Sequence, residues 1–196
     1  VQDELVFQTE AMLKQVARDI EFSFIQGAYN KPTDNTTARK TRGILEAIAT
    51  NVITNASPAE LTEVMVLDLM QKVWDNGGIR ESETATILTN SSQKRKLTKA
   101  FVTDKNYQEA TRNVGGVNVQ TIETDFGTLN IMLDRHMPQD QLAVVSLEMC
   151  SPKFLLVPEK GFLFLEELAK VGANTRFQLY GEIGLKYGNE MGHGKI

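Results

Sequence analysis

An α+β fold is what this sequence predicts, and three stretches predict it. Val1 to Ala28 carries apolar residues at helical spacing, with no Pro or Gly before Gly27. Pro58 to Phe101 reads as helix, Gly-Gly turn, strand and helix, which is an α/β order. From Gly115 onward the chain turns β-rich, with short apolar runs punctuated by Gly and Pro.

The first stretch organises the rest. Leu5, Met12, Leu13, Val16, Ile20 and Phe24 fall along one side of a helix of period 3.6. Val6, Phe22 and Ile25 widen that stripe, and Gln8, Lys14, Gln15, Arg18 and Asp19 supply the polar face. Gly27 sits where a C-cap glycine belongs. Such a helix is about 40 Å long at its ordinary rise. A rod of that length usually spans a whole domain; the plainer reading is a core helix.

Asn30 to Thr41 is polar and turn-rich, through Lys31-Pro32 and Asp34-Asn35. Ile44, Leu45, Ile48 and Val52 predict a short helix or mixed segment. Ser57 reads as an N-cap, with Pro58 at the first helical position and Glu60 completing a capping box. The helix that follows turns Leu61, Val64, Met65, Leu67, Leu69, Met70, Val73 and Trp74 mostly inward, and Gly77-Gly78 ends it. Ala85 to Thr89 predicts a buried strand, and Asn90 or Ser91 caps a helix to about Phe101.

Val117, Val119 and Ile122, then Leu129, Ile131 and Leu133, alternate around Asp125-Phe126-Gly127 and predict a hairpin. Leu142 to Leu147 is another strand, fenced by Pro138 and Pro152. Phe154 to Val157 and Phe162 to Leu165 are short apolar runs, and Gly172-Ala173-Asn174 is a turn. Phe177 to Tyr187 predicts one final long strand, bent near Gly181 and Gly184. The tail from Gly188 to Ile196 is Gly-rich and is expected to be mobile.

Composition narrows function. With 41% hydrophobic residues the chain can bury a core, as one large domain or two small ones. A net charge of -4 does not draw nucleic acid or anionic membrane overall, although local basic patches can. Cys150 is the only cysteine, which rules out an intramolecular disulfide. The chain opens with Val1 and acidic Asp3 and Glu4, so it does not read as a signal peptide and looks cut within a helix.

No catalytic set emerges. Asp125-Phe126-Gly127 spells a kinase metal-binding tripeptide, but no glycine-rich loop or catalytic loop accompanies it, and a hairpin turn needs the same residues. His136 and His193 have no second ligand at helical spacing. Asp125, His136 and Cys150 are therefore expected to be dispensable for chemistry, with no cofactor and no metal. Two basic clusters stand out: Arg39, Lys40 and Arg42 in a loop, and Lys94, Arg95, Lys96 and Lys99 on a helix. The loop cluster reads either as a solvated loop or as a contact for phosphate or an acidic partner; the helical cluster is a basic face, read plainly as solvated or paired with the acidic helix before it.

The run from Glu21 to Val52 contains Glu-Phe-Ser-Phe-Ile-Gln-Gly-Ala-Tyr and Pro-Thr-Asp-Asn-Thr-Thr-Ala-Arg-Lys-Thr-Arg-Gly-Ile-Leu-Glu-Ala-Ile. It resembles the major capsid (major head) proteins of tailed bacteriophages. The likeness continues through Trp74 to Gly78, Thr124 to Gly127, Gly181 to Lys186 and His193-Gly194, so it covers nearly the whole chain. The resemblance implies the tailed-phage capsid fold. Residues 1–57 would form a peripheral domain with a spine helix, 58–150 an axial domain, and 151–196 strands returning to the peripheral domain. It implies a non-enzymatic shell subunit of the virion, assembled in the host cytoplasm into homo-oligomeric capsomers. Portal, scaffold or decoration proteins would be partners, packaged DNA an indirect one, and no membrane is involved.

Arg39, Lys40, Arg42, Lys94, Arg95 and Lys96 are then the candidate inter-subunit contacts. The C-terminal strands are expected beside the first helix, touching Leu13, Val16 or Ile20. Family members place an arm and an extended loop before the spine helix; without them the chain is expected to fold alone and to form shells only when they are restored. Two rival readings are a cellular encapsulating compartment of the same fold and a small nucleic-acid-binding module using the basic clusters.

Overall fold

The computed structural model describes residues 4–55, 60–79, 85–103 and 121–196. Helix α1 (Glu4–Gln26) runs 23 residues, about 34 Å at the standard rise. It stops at Gly27 for a reason other than the predicted left-handed cap. A Cβ at Gly27 would lie 2.3 Å from the Ser23 carbonyl oxygen and 2.8 Å from that of Thr41. The glycine lets the returning loop lie directly on the helix end. That loop is tied by Asn30 and Lys40, which exchange backbone hydrogen bonds of 3.2 and 3.0 Å. At its tip, Asp34 accepts from the Thr36 amide and hydroxyl and from the Thr37 amide. Helix α2 (Ile44–Ala47) follows as a single buried turn.

Helix α3 (Glu63–Asp75) begins later than its apparent capping box. Ser57 and Pro58 lie outside the described residues. Glu60 is not helical, and its carboxylate goes to Lys99 instead of back to an N-cap. Thr62 is the cap, its hydroxyl accepting from the Met65 amide at 3.4 Å. Val66, Leu69, Met70 and Val73 are fully buried at steps of three and four, whereas Val64 and Trp74 face out. Asn76 closes the helix and Gly77 takes a φ of +81°, as the Gly-Gly ending requires.

Strand β1 (Ala85–Thr89) is buried throughout, and helix α4 (Ser91–Thr98) follows with Asn90 as cap, its side chain accepting from the Gln93 amide at 2.9 Å. One π-helical turn, Lys99–Thr103, continues α4. Strands β2 (Thr121–Thr124) and β3 (Gly127–Leu133) form the predicted hairpin, with Gly127 at φ +124°; Val117 and Val119 lie outside the described residues. Strand β4 (Leu142–Val145) is buried, and β5 (Ser151–Phe154) takes in Pro152 itself. Pro is accommodated there because β5 belongs to a two-stranded sheet, where each strand has a free edge.

The last strands are β6 (Leu163–Val171), β7 (Asn174–Gly181), β8 (Ile183–Lys186) and β9 (Gly194–Lys195). The single long strand predicted over 177–187 is thus two strands in different sheets, since β7 pairs with β6 and β8 with β5. The change of partner falls at Glu182, between the two glycines read as a bend.

A five-stranded mixed sheet in the order β2-β3-β1-β4-β9 forms the centre. Its alternation divides the core in two. Ala85, Ile87, Leu129, Leu142 and Val144 face α3 and α4 in one cluster. Leu88, Ala143 and Val145 face the other way, onto Ile25, Ile44, Leu45, Ile48 and Met137. Strand β8 lies against α1, with Leu185 packed on the cluster that holds Ile25. Late strands therefore meet the first helix, by way of the cluster that holds Ile25, while Leu13, named as a meeting point, is exposed.

The tail is not mobile as predicted. Gly192, His193 and Gly194 are buried, β9 pairs with β4, and Lys195 also bridges to Val52. The backbone amide of Ser146 donates to His193 Nδ1 at 3.2 Å, and His193 Nε2 lies 2.7 Å from the Tyr187 carbonyl oxygen. Asn51 donates to the carbonyls of Met191 and His193. A Cβ on Gly194 would stand 2.7 Å from Val73 Cγ2 and 2.8 Å from Leu69 Cδ1. The glycines that read as flexibility are there so that the strand can lie flat on α3.

Candidate assembly surfaces

The two basic clusters end up in different surroundings. In the loop, Arg39 Nη1 lies 3.5 Å from Glu182 Oε2, at the junction of β7 and β8. Glu182 also accepts from the Tyr180 hydroxyl at 2.7 Å, and this bond holds the phenol above its ordinary value. Arg42 stacks over Tyr29 at 4.7 Å, with its Nε 4.0 Å from Glu46. Lys40 is exposed and contributes its backbone to the Asn30 bridge. Arg39 and Arg42 are thus engaged within the subunit.

On α4 the arrangement is more open. Ser91, Ser92, Arg95, Lys96 and Lys99 line a shallow groove of about 550 Å³. Lys99 pairs with Glu60 at 2.6 Å, and its hydrogen bond and charge hold that carboxyl below the usual glutamate value. Leu97 and Gln93 turn inward, which leaves the cationic side of α4 outward. The structure does not bring Arg39, Lys40 and Arg42 together with Lys94, Arg95 and Lys96. The loop leads into the core beneath α2, and α4 packs on the opposite face of the sheet.

Apolar surfaces are what sequence reasoning missed. On α1 only Ile25 is buried, and Leu5, Val16, Ile20 and Phe24 are half-buried. Val6, Phe7, Met12, Leu13 and Phe22 are exposed, Phe7 at 55%. The signal was present: at about 100° per residue, Phe7 and Phe22 fall outside any single stripe centred on Val16. The hairpin β6–β7 adds a second surface. Its register puts Leu163 and Leu165 on one side with Phe177 and Leu179, and of these all but Leu179 are exposed. Phe154, Leu155, Leu156 and Phe162 are exposed beside it. Contiguous apolar surface of this kind marks an interaction site.

Asp134 and His136 are committed to structure. Asp134 accepts the His136 amide at 2.7 Å, His136 Nε2 lies 3.5 Å from Glu21, and Phe22 meets the imidazole edge-on at 5.8 Å. Gln26 donates to the His136 carbonyl, pinning that loop to α1. Asp125 occupies the β2–β3 turn, where Thr124 donates to the Gly127 carbonyl at 2.9 Å. Burial pushes the Cys150 thiol up to about 11. Among the described residues no three His, Cys, Asp or Glu side chains are placed to hold a metal ion, and no helix is long and apolar enough to cross a membrane.

A long, largely exposed helix, a helix-covered mixed sheet and strands returning to the helix together make the fold of shell-forming proteins. The chain is similar in fold to the holo-SrpI encapsulin complex from Synechococcus elongatus PCC 7942, with a TM-score of 0.66 at 12% identity, covering 98% of this chain and 65% of that one. It is similar to the capsid of an empty GTA particle, at 0.64 and 12% identity with the same 98% and 65% coverage. A third likeness is to a satellite phage P4 procapsid that includes a size determination (Sid) protein, at 0.55 and 14% identity, covering 100% of this chain and 67% of that one. The family model described as SU10 major capsid protein matches residues 1–196, and the chain belongs to that family. Among curated proteins none matches. The chain spans 65% of the length of the first two structures it resembles.

Proposed function

We propose that this chain is the shell-forming part of a virion's major capsid protein, self-assembling into capsomers that enclose the phage genome in the host cytoplasm. Membership of the SU10 major capsid protein family supports this. The observation that carries the assembly role is the exposed apolar surface of α1 and of the β6–β7 hairpin. A two-stranded hairpin is marginal alone in water, and further packing stabilises it. In the proposed shell that packing comes from neighbouring copies.

The same reading divides the chain into a peripheral part over 1–57, an axial part over 58–150 and returning strands over 151–196. Lys40 would meet acidic neighbours at the rim, and Arg39 and Arg42 would do so only by exchanging their partners within the subunit; exposed pairs contribute at most about 1 kcal/mol each. Portal, scaffold and decoration proteins are the further partners it expects, and no catalytic role is proposed. Electron microscopy of the full-length protein expressed alone tests it: closed particles are the expected result, and a monodisperse monomer under every assembly condition would sink it. The fold likeness to an encapsulin favours a second reading, a compartment of the same fold. Portal and protease genes beside this one decide for the virion.

A further inference from the structure

Four of the chain's 21 Lys and Arg residues lie together on α4 and the turn that continues it. Lys94, Arg95, Lys96 and Lys99 fall within six consecutive positions. Ser91, Ser92, Arg95, Lys96 and Lys99 recur at helical spacing, so they share one side, and they line the open groove of about 550 Å³. Lys99 is anchored by Glu60 at 2.6 Å. Among the described residues no carboxylate lies within ion-pair distance of Arg95 or Lys96, in contrast to Arg39, which has Glu182. Arg95 is exposed and Lys96 half-buried, and the inward turn of Gln93 and Leu97 holds both at the groove.

From this we propose that the α4 groove binds the phosphate backbone of nucleic acid. The idea goes beyond the shell reading and rests on it only for the presence of packaged DNA. Ser92 to Lys99 spans about 10 Å along the helix axis. One strand of duplex carries a phosphate about every 3.4 Å of axis, so roughly three phosphates face that span. The guanidinium fork of Arg95 suits phosphate oxygens, Lys96 and Lys99 add point charges, and the hydroxyls of Ser91 and Ser92 are neutral donors of the kind that contact phosphate. Among the described residues no aromatic or amide side chain lines the groove to read a base edge, so binding is proposed to be independent of sequence.

Titration of the protein with a labelled 30-base-pair duplex across a salt series tests the proposal. The wild type should bind, with affinity falling steeply as salt rises. Arg95→Gln with Lys96→Gln should weaken binding and lower the slope of log K against log salt by about 2, since each phosphate-contacting cation contributes about 0.9. Lys153→Gln with Lys170→Gln, which removes exposed lysines elsewhere, should leave the slope unchanged. An unbound duplex, an equal loss from both pairs, or an unaltered slope in the α4 pair overturns the idea. So does a variant that binds DNA normally but fails to self-associate, because the groove would then meet acidic groups of another copy. Particle formation, scored separately by electron microscopy, decides the shell reading whatever the DNA result.

Discussion

Gly27 shows how a single residue is set by its neighbours and not by its own dihedral angles. Its backbone lies where any Cβ would overlap the Ser23 and Thr41 carbonyl oxygens. Gly27→Ala should therefore cost about 1–3 kcal/mol, the scale of forced overpacking, read as a shifted denaturant midpoint at unchanged m. Glu190 supplies a pH test. Its carboxylate accepts from the Thr50 hydroxyl at 2.5 Å and from the Ala49 and Thr50 amides, and the hydroxyl bond is the main cause that holds it below the ordinary 4.5. A carboxyl depressed in the folded state stabilises above its unfolded value and loses that contribution as pH falls through its folded value. The stability gap between wild type and Glu190→Gln should be constant near neutrality and close below about pH 4.5. A gap that widens on acidification would contradict this. Cys150, at about 11, stays a thiol at pH 8, so it should react slowly with iodoacetamide until the protein is unfolded.

Among the elements, the tail and the β6–β7 hairpin behave in opposite ways. The tail is held by His193, whose two ring nitrogens face the Ser146 amide and the Tyr187 carbonyl in a fully buried site. His193→Leu orphans both groups, and each costs about 1–3 kcal/mol. Thermal melting of that variant should show a large loss with no change in exposed surface. The hairpin contributes little to the isolated fold, since both its faces meet solvent. Leu165→Glu with Phe177→Glu should shift subunit stability by no more than about 0.5 kcal/mol, the range of ordinary surface changes. In the full-length protein the same pair should abolish particles in electron micrographs. Intact particles would mean that another surface carries assembly.

For the molecule as a whole, the central sheet separates two clusters, and the last strand closes it. β9 reaches β4 across 50 residues of sequence, and Ile196 exchanges backbone hydrogen bonds with Leu142 at 2.9 and 3.0 Å. Removal of residues 190–196 should expose the edge of β4 and disturb both clusters, because Ile196 packs on one and His193 ties the carbonyl of Tyr187, which packs on the other. Hydrogen exchange should then rise across β1 and β4 and not only near the cut; protection confined to wild-type levels in β1 would contradict the coupling.

Local signals were legible wherever a short segment carries its own reason. Ala85 to Thr89 became β1, Asn90 the cap of α4, and Asp125-Phe126-Gly127 a hairpin turn, each governed by neighbours within four residues. The ordered set of motifs along the chain also sufficed for its family. Three matters were decided only in the folded molecule. Thr62 capped α3 while Glu60 turned to Lys99, 39 residues away. The glycine-rich tail became a buried strand because α3 offers Leu69 and Val73 at a distance only glycine permits. The apolar stripe of α1 stayed largely outside, since the periodicity of a sequence reports that a face is to be covered but carries no information on whether its cover lies within the same chain.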